Sequence, residues 1–194
     1  MELLHAIRQR RSIRSFQPVE VPLESLEALV NLARVAPSAA NRQPLEYLAI
    51  RSREGCKKVF PLLRWASYIY PRGNPGPGHE PSAYIVVLVK RSWESPYVAY
   101  DVGAAVQSIL LGALEMDLAS CWLASVDKEE LRAAFSIPQE LGIDSVVALG
   151  RSDQQSLLVE MEENESVRYY LKNKKMHVPK RKLEHIFHGE GDWK

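Results

Sequence analysis

The densest group of side chains that could bind a charged ligand is the run Arg10-Arg11-Ser12-Ile13-Arg14 near the N-terminus. Guanidinium groups donate paired hydrogen bonds to phosphate oxygens, and the serine hydroxyl adds a neutral donor. The alternative is the solvated basic end of a helix, where cations stabilise the C-terminal dipole. Taken alone, the run favours this second interpretation.

Two further segments add to this run. The first is the segment 36–44, APSAANRQP, whose small side chains let the backbone approach a flat ligand. The side-chain amides of Asn41 and Gln43 could pair with a ligand edge of alternating C=O and N–H groups. A loop rich in turn formers is the alternative. The basic run VPKRK at 178–182 is either an exposed nucleic-acid patch or the closing part of a phosphate site begun by the N-terminal arginines.

Several common sites are absent from the sequence. It contains no GxGxxG or GxxxxGK[ST] phosphate loop, no GxSxG elbow and no HExxH metal motif. His185 and His188 indicate a solvated helix end rather than a metal site, and Cys121 lies in an apolar strand pattern typical of a core residue. The sequence therefore predicts neither a structural metal nor a cysteine nucleophile.

Helices and short strands are predicted to position these segments. Helices are expected at 3–7, from Pro22 to before Pro37, at 54–60, from Ser95 to about Met116 and from Asp127 to about Phe135. Strands are expected at 47–50, 84–89, 120–124 and 143–149, the last closed by Gly150. Residues 71–81, rich in proline and glycine, are predicted to be irregular. Without strict β-α-β alternation, the pattern predicts an α+β fold in three layers.

Composition narrows the class of protein. A chain of 194 residues with 46% hydrophobic and 25% charged residues predicts one globular domain, 1–194, with 160–194 as an extended basic C-terminal tail. The net charge of +1 argues against a general polyanion binder, so no nucleic-acid partner is expected. The longest apolar run, 83–89, is too short to span a bilayer, and the N-terminus lacks the apolar core of a signal peptide. We expect a cytoplasmic protein without a membrane partner.

Five segments together resemble the FMN-dependent nitroreductase family, and the resemblance spans nearly the whole chain. They are RRSIRSF at 10–16, APSAANRQP at 36–44, DVGAAVQSILLGALEMDLASCWLA at 101–124, ALG at 148–150 and PKRKLEHI at 179–186. The resemblance implies a central mixed or antiparallel sheet flanked by helices, with a long central dimer helix. It also implies a homodimer with two FMN sites at the interface, each built from both chains.

The resemblance also implies roles for individual residues. Arg10, Arg11 and Ser12 would hold the FMN phosphate and ribityl chain, and Arg14 would approach N1 and O2 of the isoalloxazine ring. The partner chain would contribute Pro37, Ser38, Ala39 and Asn41. Ala124, Ser125 and Val126 would lie along the ring near N5. Arg181, with Lys180 beside it, would complete the phosphate site.

The implied activity is a ping-pong reaction in which NADH or NADPH passes hydride to the flavin and a nitro, quinone or similar electrophilic acceptor then takes the same position. Flavin does the redox chemistry, so no side chain is expected to act as general acid or base. Three alternatives remain: a reductive dehalogenase or azoline oxidase on the same scaffold, a flavin-binding or sensory module without turnover, and a basic-tailed nucleic-acid binder.

Overall fold

Within residues 2–189, the part of the chain that the computed structural model describes, five α-helices and eight β-strands alternate irregularly. The helices are α1 (Leu3–Gln9), α2 (Leu23–Arg34), α3 (Arg53–Val59), α4 (Val98–Glu115) and α5 (Lys128–Phe135). The strands are β1 (Phe16–Gln17), β2 (Leu45–Ile50), β3 (Ala83–Lys90), β4 (Ala119–Leu123), β5 (Leu141–Ser152), β6 (Ser156–Met161), β7 (Tyr170–Lys172) and β8 (Lys175–Arg181).

The first five strands form one antiparallel sheet centred on β3 and β5. Strand β2 pairs with the edge of β3 that faces away from β5, while β4 and β1 pair with β5. Strand β3 is buried along nearly its whole length, as its continuous β-branched and apolar sequence predicts.

Alternate residues of β3 point to opposite faces of this sheet and so into two separate cores. Tyr84 and Val86 belong to the core beneath α3 and α5. Ile85 and Val87 belong to the core shared with α2 and α4. The predicted α+β architecture, with helices on both faces of a central sheet, is confirmed.

Helix boundaries follow local capping chemistry in two places. Ser52 Oγ accepts a hydrogen bond from Gly55 N–H at 3.1 Å and begins α3, and Asp127 Oδ1 accepts one from Glu130 N–H at 3.2 Å and begins α5. The predicted N-cap of α4, Ser95, is wrong by two residues, because Tyr97 is the N-cap. Ser95 Oγ instead accepts from Tyr97 N–H at 3.3 Å in a turn that precedes the helix.

Strand β5 does not close at Gly150 as predicted but continues to Ser152, because β1 pairs with residues 151 and 152. Gly150 allows this pairing, since a Cβ there would lie only 2.9 Å from Phe16 Cδ1. Residues 71–81 contain no helix or strand, as expected.

Residues 156–181 form a second sheet that the sequence patterning did not predict. Strand β8 lies in its centre, parallel to β6 and antiparallel to β7. Part of the segment expected to be an extended tail, 160–194, therefore belongs to a second sheet that lies close to the N-terminal arginines, as described below.

Helix α4 is long and apolar enough by composition to cross a membrane. Buried core helices of the same length and hydropathy meet that criterion too, and eight α4 residues are buried against the rest of this chain.

Candidate functional site

The arginine run begins where α1 ends. Arg10 caps the helix, its backbone N–H donating to Ala6 O at 2.9 Å. The chain then continues beside β4, where Ile13 N–H donates to Ser120 O at 2.9 Å and Ser12 forms a parallel bridge with Ser120. This pairing holds the run in extended backbone, so the arginines no longer follow helical spacing.

Arg10 and Arg11 line a pocket of about 340 Å³ between β4, β5 and the C-terminal end of α4. Arg11 Nη1 donates to Arg10 O at 2.6 Å, while Arg11 Nε is buried without a hydrogen-bond partner. Burial, together with the neighbouring Arg10 charge, lowers the pKa of Arg11. Among residues 2–189 no carboxylate forms an ion pair with either arginine. Two half-buried cations thus share a pocket whose one carboxylate, Asp117, is paired with a third cation, Arg151.

Arg14 is held from two sides by the segment that follows β5. Its backbone N–H donates to Gln154 Oε1 at 2.8 Å, and its guanidinium carbon lies 5.0 Å from the centre of the Tyr169 ring. Its Nε is buried without a hydrogen-bond partner. The Tyr169 ring in turn stacks at a tilt on Tyr68, with ring centres 5.0 Å apart.

The segment 37–41 follows α2 and is fixed by a buried acid on α4. Asp101 is only 4% exposed, and its Oδ1 accepts a hydrogen bond from Ala39 N–H at 2.8 Å. Ser38 Oγ accepts another from Gln43 N–H at 3.0 Å. Pro37 and Ser38 line a second pocket of about 290 Å³ beside Asp101.

Within one chain, the 37–41 segment lies far from the arginine run. Asp101 lies in the first turn of α4, whereas the arginine pocket is lined by Leu110 and Leu114 near the helix's other end. At about 1.5 Å of rise per residue, these positions are roughly 14 to 20 Å apart along the helix axis.

Residues 124–126 follow β4 at the end opposite Ser120. Ser125 O accepts a hydrogen bond from Arg64 N–H at 2.9 Å, and Val126 bridges to Leu63. Ala124 and Ser125 are exposed. The spacing of β-strand residues places Ala124 about 13 Å from Ser120.

Lys180 and Arg181 lie at the end of β8 and do not line the pocket of Arg10 and Arg11. Ser156, which does line it, pairs with Met176, so Arg181 is five residues farther along the strand, or about 17 Å. Arg181 Nη2 donates to His185 O at 2.6 Å. Within one chain, the structure does not join Arg181 to the N-terminal arginines.

Three residues that contact the candidate site were not singled out from the sequence: Asp101, Gln154 and Tyr169. Asp101 carries a signal, because a carboxylate within the apolar pattern of α4 requires a buried partner. Gln154 and Tyr169 carry none, since their contacts with Arg14 join segments about 140 to 155 residues apart.

Neither cysteine fits a nucleophile. Cys121 is 1% exposed, and burial raises its pKa, as it raises that of the half-buried Cys56 to about 11. Within residues 2–189, no group of three or more histidine, cysteine or acidic side chains could hold a metal ion.

Comparison with known proteins shows that this chain is similar to nitroreductases. A family model described as "Nitroreductase family" matches residues 7–151. The "Putative NADH dehydrogenase/NAD(P)H nitroreductase" of Archaeoglobus fulgidus is 32% identical over 77% of this chain and 84% of its own length. The crystal structure of a "putative nitroreductase in complex with FMN" from Desulfovibrio desulfuricans has a TM-score of 0.66 at 28% identity, covering 79% of this chain and 88% of that one. The iodotyrosine deiodinase of Thermotoga neapolitana is 24% identical over 79% of this chain and 90% of its own length.

Proposed function

Because the chain belongs to the nitroreductase family, we propose that it is an FMN-dependent oxidoreductase that uses NADH or NADPH to reduce nitro, quinone or similar electrophilic acceptors. The relatives named above support the cofactor and the donor, since one is bound to FMN and another is named for NAD(P)H. We further propose that residues 1–194 act as one domain in the cytoplasm, without a nucleic-acid or membrane partner.

The observation that carries this proposal is the pair of uncompensated arginines. The one carboxylate that lines the pocket of Arg10 and Arg11, Asp117, is already paired with Arg151, and Arg11 Nε is buried without a partner. Leaving buried donors unpaired costs about 1–3 kcal/mol each, more for charged groups. A phosphate monoester would accept these hydrogen bonds and neutralise both charges, so the residues present fit the phosphate of FMN.

The other residues divide the remaining tasks. Ser12, next to the arginines, would contribute its hydroxyl to the ribityl chain. Arg14 would place a fixed positive charge at the flavin, where its contact with Tyr169 restrains the guanidinium. A fixed cation favours the more negatively charged, reduced form of the cofactor. Bound FMN supplies the chemistry itself, accepting a hydride and passing it on.

We propose that each site takes its second half from a partner chain. The 37–41 segment and the arginine run lie roughly 14 to 20 Å apart along α4 of one chain, so one ligand would contact both most directly across a dimer. Residues 124–126 would lie along the ring, and Lys180 and Arg181 would complete the phosphate site.

Exposed apolar faces support a homodimer. Leu3 and Leu4 of α1 are 66% and 69% exposed, and near the C-terminus Leu183 and Phe187 are 71% and 69% exposed. Apolar patches of this kind mark interaction surfaces. We expect an obligate dimer whose interface lies in the range of about 2,000–5,000 Å².

Reductive dehalogenation is the second candidate activity. The similarity to an iodotyrosine deiodinase over most of both chains favours it. Both activities use a reduced flavin, so they differ only in the acceptor.

The absorption spectrum of the purified protein tests the proposal. We expect an oxidised-flavin spectrum that NADH or NADPH bleaches under anaerobic conditions and that a nitro or quinone acceptor restores. A colourless protein that takes up no added FMN would refute the cofactor assignment. A yellow protein that neither donor bleaches would be a flavin-binding module without turnover. Restoration by an iodinated phenol but not by nitro or quinone acceptors would support the second candidate.

A further inference from the structure

A second basic pocket, of about 470 Å³, lies beside the candidate FMN site. Four segments distant in sequence form it: Arg14 and its neighbour, the loop carrying Arg72, residues 153–155, and the β7–β8 hairpin. In this hairpin Lys174 lies in the turn and Lys175 begins β8. Asn173 and Lys174 have positive φ values of 52° and 61°, the backbone of a two-residue hairpin turn. The hairpin therefore holds both lysines at the pocket, Lys174 in its turn and Lys175 at the start of β8.

The pocket carries an excess of positive charge. Its four basic side chains face a single carboxylate, Asp153. The Oδ2 atom of Asp153 lies 2.8 Å from His79 Nδ1, so that carboxylate already has a partner. In the described part of the chain, none of the four basic side chains forms an ion pair. A cleft lined by one sign of charge concentrates its field and attracts ligands of opposite sign.

Gln154 connects this pocket to the candidate FMN site. It lines both the pocket of Arg10 and Arg11 and the pocket of Lys174, and its side chain accepts the Arg14 backbone N–H at 2.8 Å. A molecule in the second pocket would therefore lie next to the cofactor. The β7–β8 turn and Gln154 also fall after residue 151, where the match to the family model ends.

We propose that the pocket of Arg14, Arg72, Lys174 and Lys175 is a subsite for the anionic group, a carboxylate or phosphate, of the electron donor or acceptor. This inference rests on the proposed function, because it places a reacting substrate beside bound FMN. Amide groups of Asn74 and Asn173, which also line the pocket, add neutral hydrogen-bonding groups for the same oxygens.

The test compares charged with neutral substrates in the FMN-loaded protein. The variant Lys174→Ala with Lys175→Ala removes two charges from the pocket. Lys57→Ala with Lys58→Ala, on α3, removes the same charge elsewhere and serves as the control. The acceptors are 4-nitrobenzoate and its neutral counterpart 4-nitrobenzamide, and the donors are NADH and NADPH. Calorimetric titration of 4-nitrobenzoate and of NADPH into each variant adds a readout independent of turnover.

We expect the pocket variant to lower kcat/KM for its anionic substrate about fivefold to tenfold, as two partly exposed charge contacts allow. A selective loss for 4-nitrobenzoate, with 4-nitrobenzamide within about twofold of the unmodified protein, assigns the subsite to the acceptor. A loss for both donors, with acceptors unchanged, assigns it to the phosphates of the donor. Calorimetric affinity should fall for the same substrate.

Three results would overturn the subsite. The first is unchanged kinetics and affinity for every anionic substrate. The second is an equal effect of the control variant, which would indicate only the net charge of the protein. The third is loss of FMN from the pocket variant, which would assign these lysines to the cofactor. If the unmodified protein holds FMN but reduces neither acceptor, the proposed function fails instead, and the calorimetric comparison still decides whether the pocket binds anions.

Discussion

Replacement of Asp101 by alanine should weaken cofactor binding more than it destabilises the fold. Asp101 Oδ1 accepts the Ala39 N–H at 2.8 Å, while Oδ2 is buried without a partner. Losing a hydrogen bond to a charged group costs about 1.5–3 kcal/mol, whereas removing an unsatisfied buried oxygen recovers about 1–3 kcal/mol. These contributions nearly cancel, so we expect the free energy of unfolding to change by about 1 kcal/mol or less.

The backbone around Ala39 depends on that hydrogen bond. Ala40, Asn41 and Gln43 all have φ near +50°, a left-handed conformation that costs non-glycine residues free energy. Without Asp101 the segment should relax, and FMN affinity should fall about tenfold, equivalent to about 1.4 kcal/mol. Asp101→Asn keeps an acceptor oxygen for Ala39 N–H and should bind FMN within about threefold of the unmodified protein.

Two measurements on these variants test the role of Asp101. Urea denaturation gives the free energy of unfolding, and flavin fluorescence quenching gives the FMN Kd. The reasoning is refuted if the alanine variant binds FMN as tightly as the unmodified protein. It is also refuted if the asparagine and alanine variants lose affinity equally.

Three further predictions follow from the arginines and from packing. Arg10→Ala and Arg181→Ala should each weaken FMN binding by about 1.5–3 kcal/mol in equilibrium dialysis. Unchanged affinity in both variants would mean that the two basic runs carry only solvated charge. Arg14→Gln should lower the two-electron potential of bound FMN by about 30–60 mV in a redox titration, whereas a role at the phosphate alone would lower affinity and leave the potential unchanged. Gly112→Ala should lower the free energy of unfolding by about 1 kcal/mol, because its Cβ would overlap Leu32 Cδ1 and lie 3.1 Å from Leu29 Cδ2. Gly103→Ala, on the same helix with nothing within 4 Å, should instead raise it by about 0.5–1 kcal/mol, and equal effects of both variants would contradict the packing argument.

Local signals predicted four of the five strands of the main sheet, all but β1, and the helices that flank it. The apolar run of β3, the buried pattern of α4 and the cap at Asp127 each act within a few residues, so the sequence reveals them directly. The second sheet depends on a distant partner. Strand β6 pairs with β8 some twenty residues later, and nothing in Ser156–Met161 alone indicates that pairing.

In the candidate site too, local sequence signals indicated some residues, while contacts between distant segments were not predictable. Side-chain chemistry made Arg10 and Arg11 candidate phosphate ligands, the resemblance implied that role, and the structure places both at one pocket. The ring beneath Arg14 and the acid behind Ala39 belong to other parts of the chain, so sequence spacing gave no geometry for either contact.

The central claim is that each FMN site combines the arginine run of one chain with the 37–41 segment of another. Subunit mixing tests it most directly. One variant carries Arg10→Ala with Arg11→Ala, the other carries Ser38→Ala with Asn41→Ala, and each homodimer is expected to lose FMN. In a heterodimer purified through two different tags, one site would combine both defects and the other would be intact. We expect one FMN per heterodimer. A heterodimer as empty of FMN as its two parents would contradict it, because both halves of the site would then have to come from the same chain.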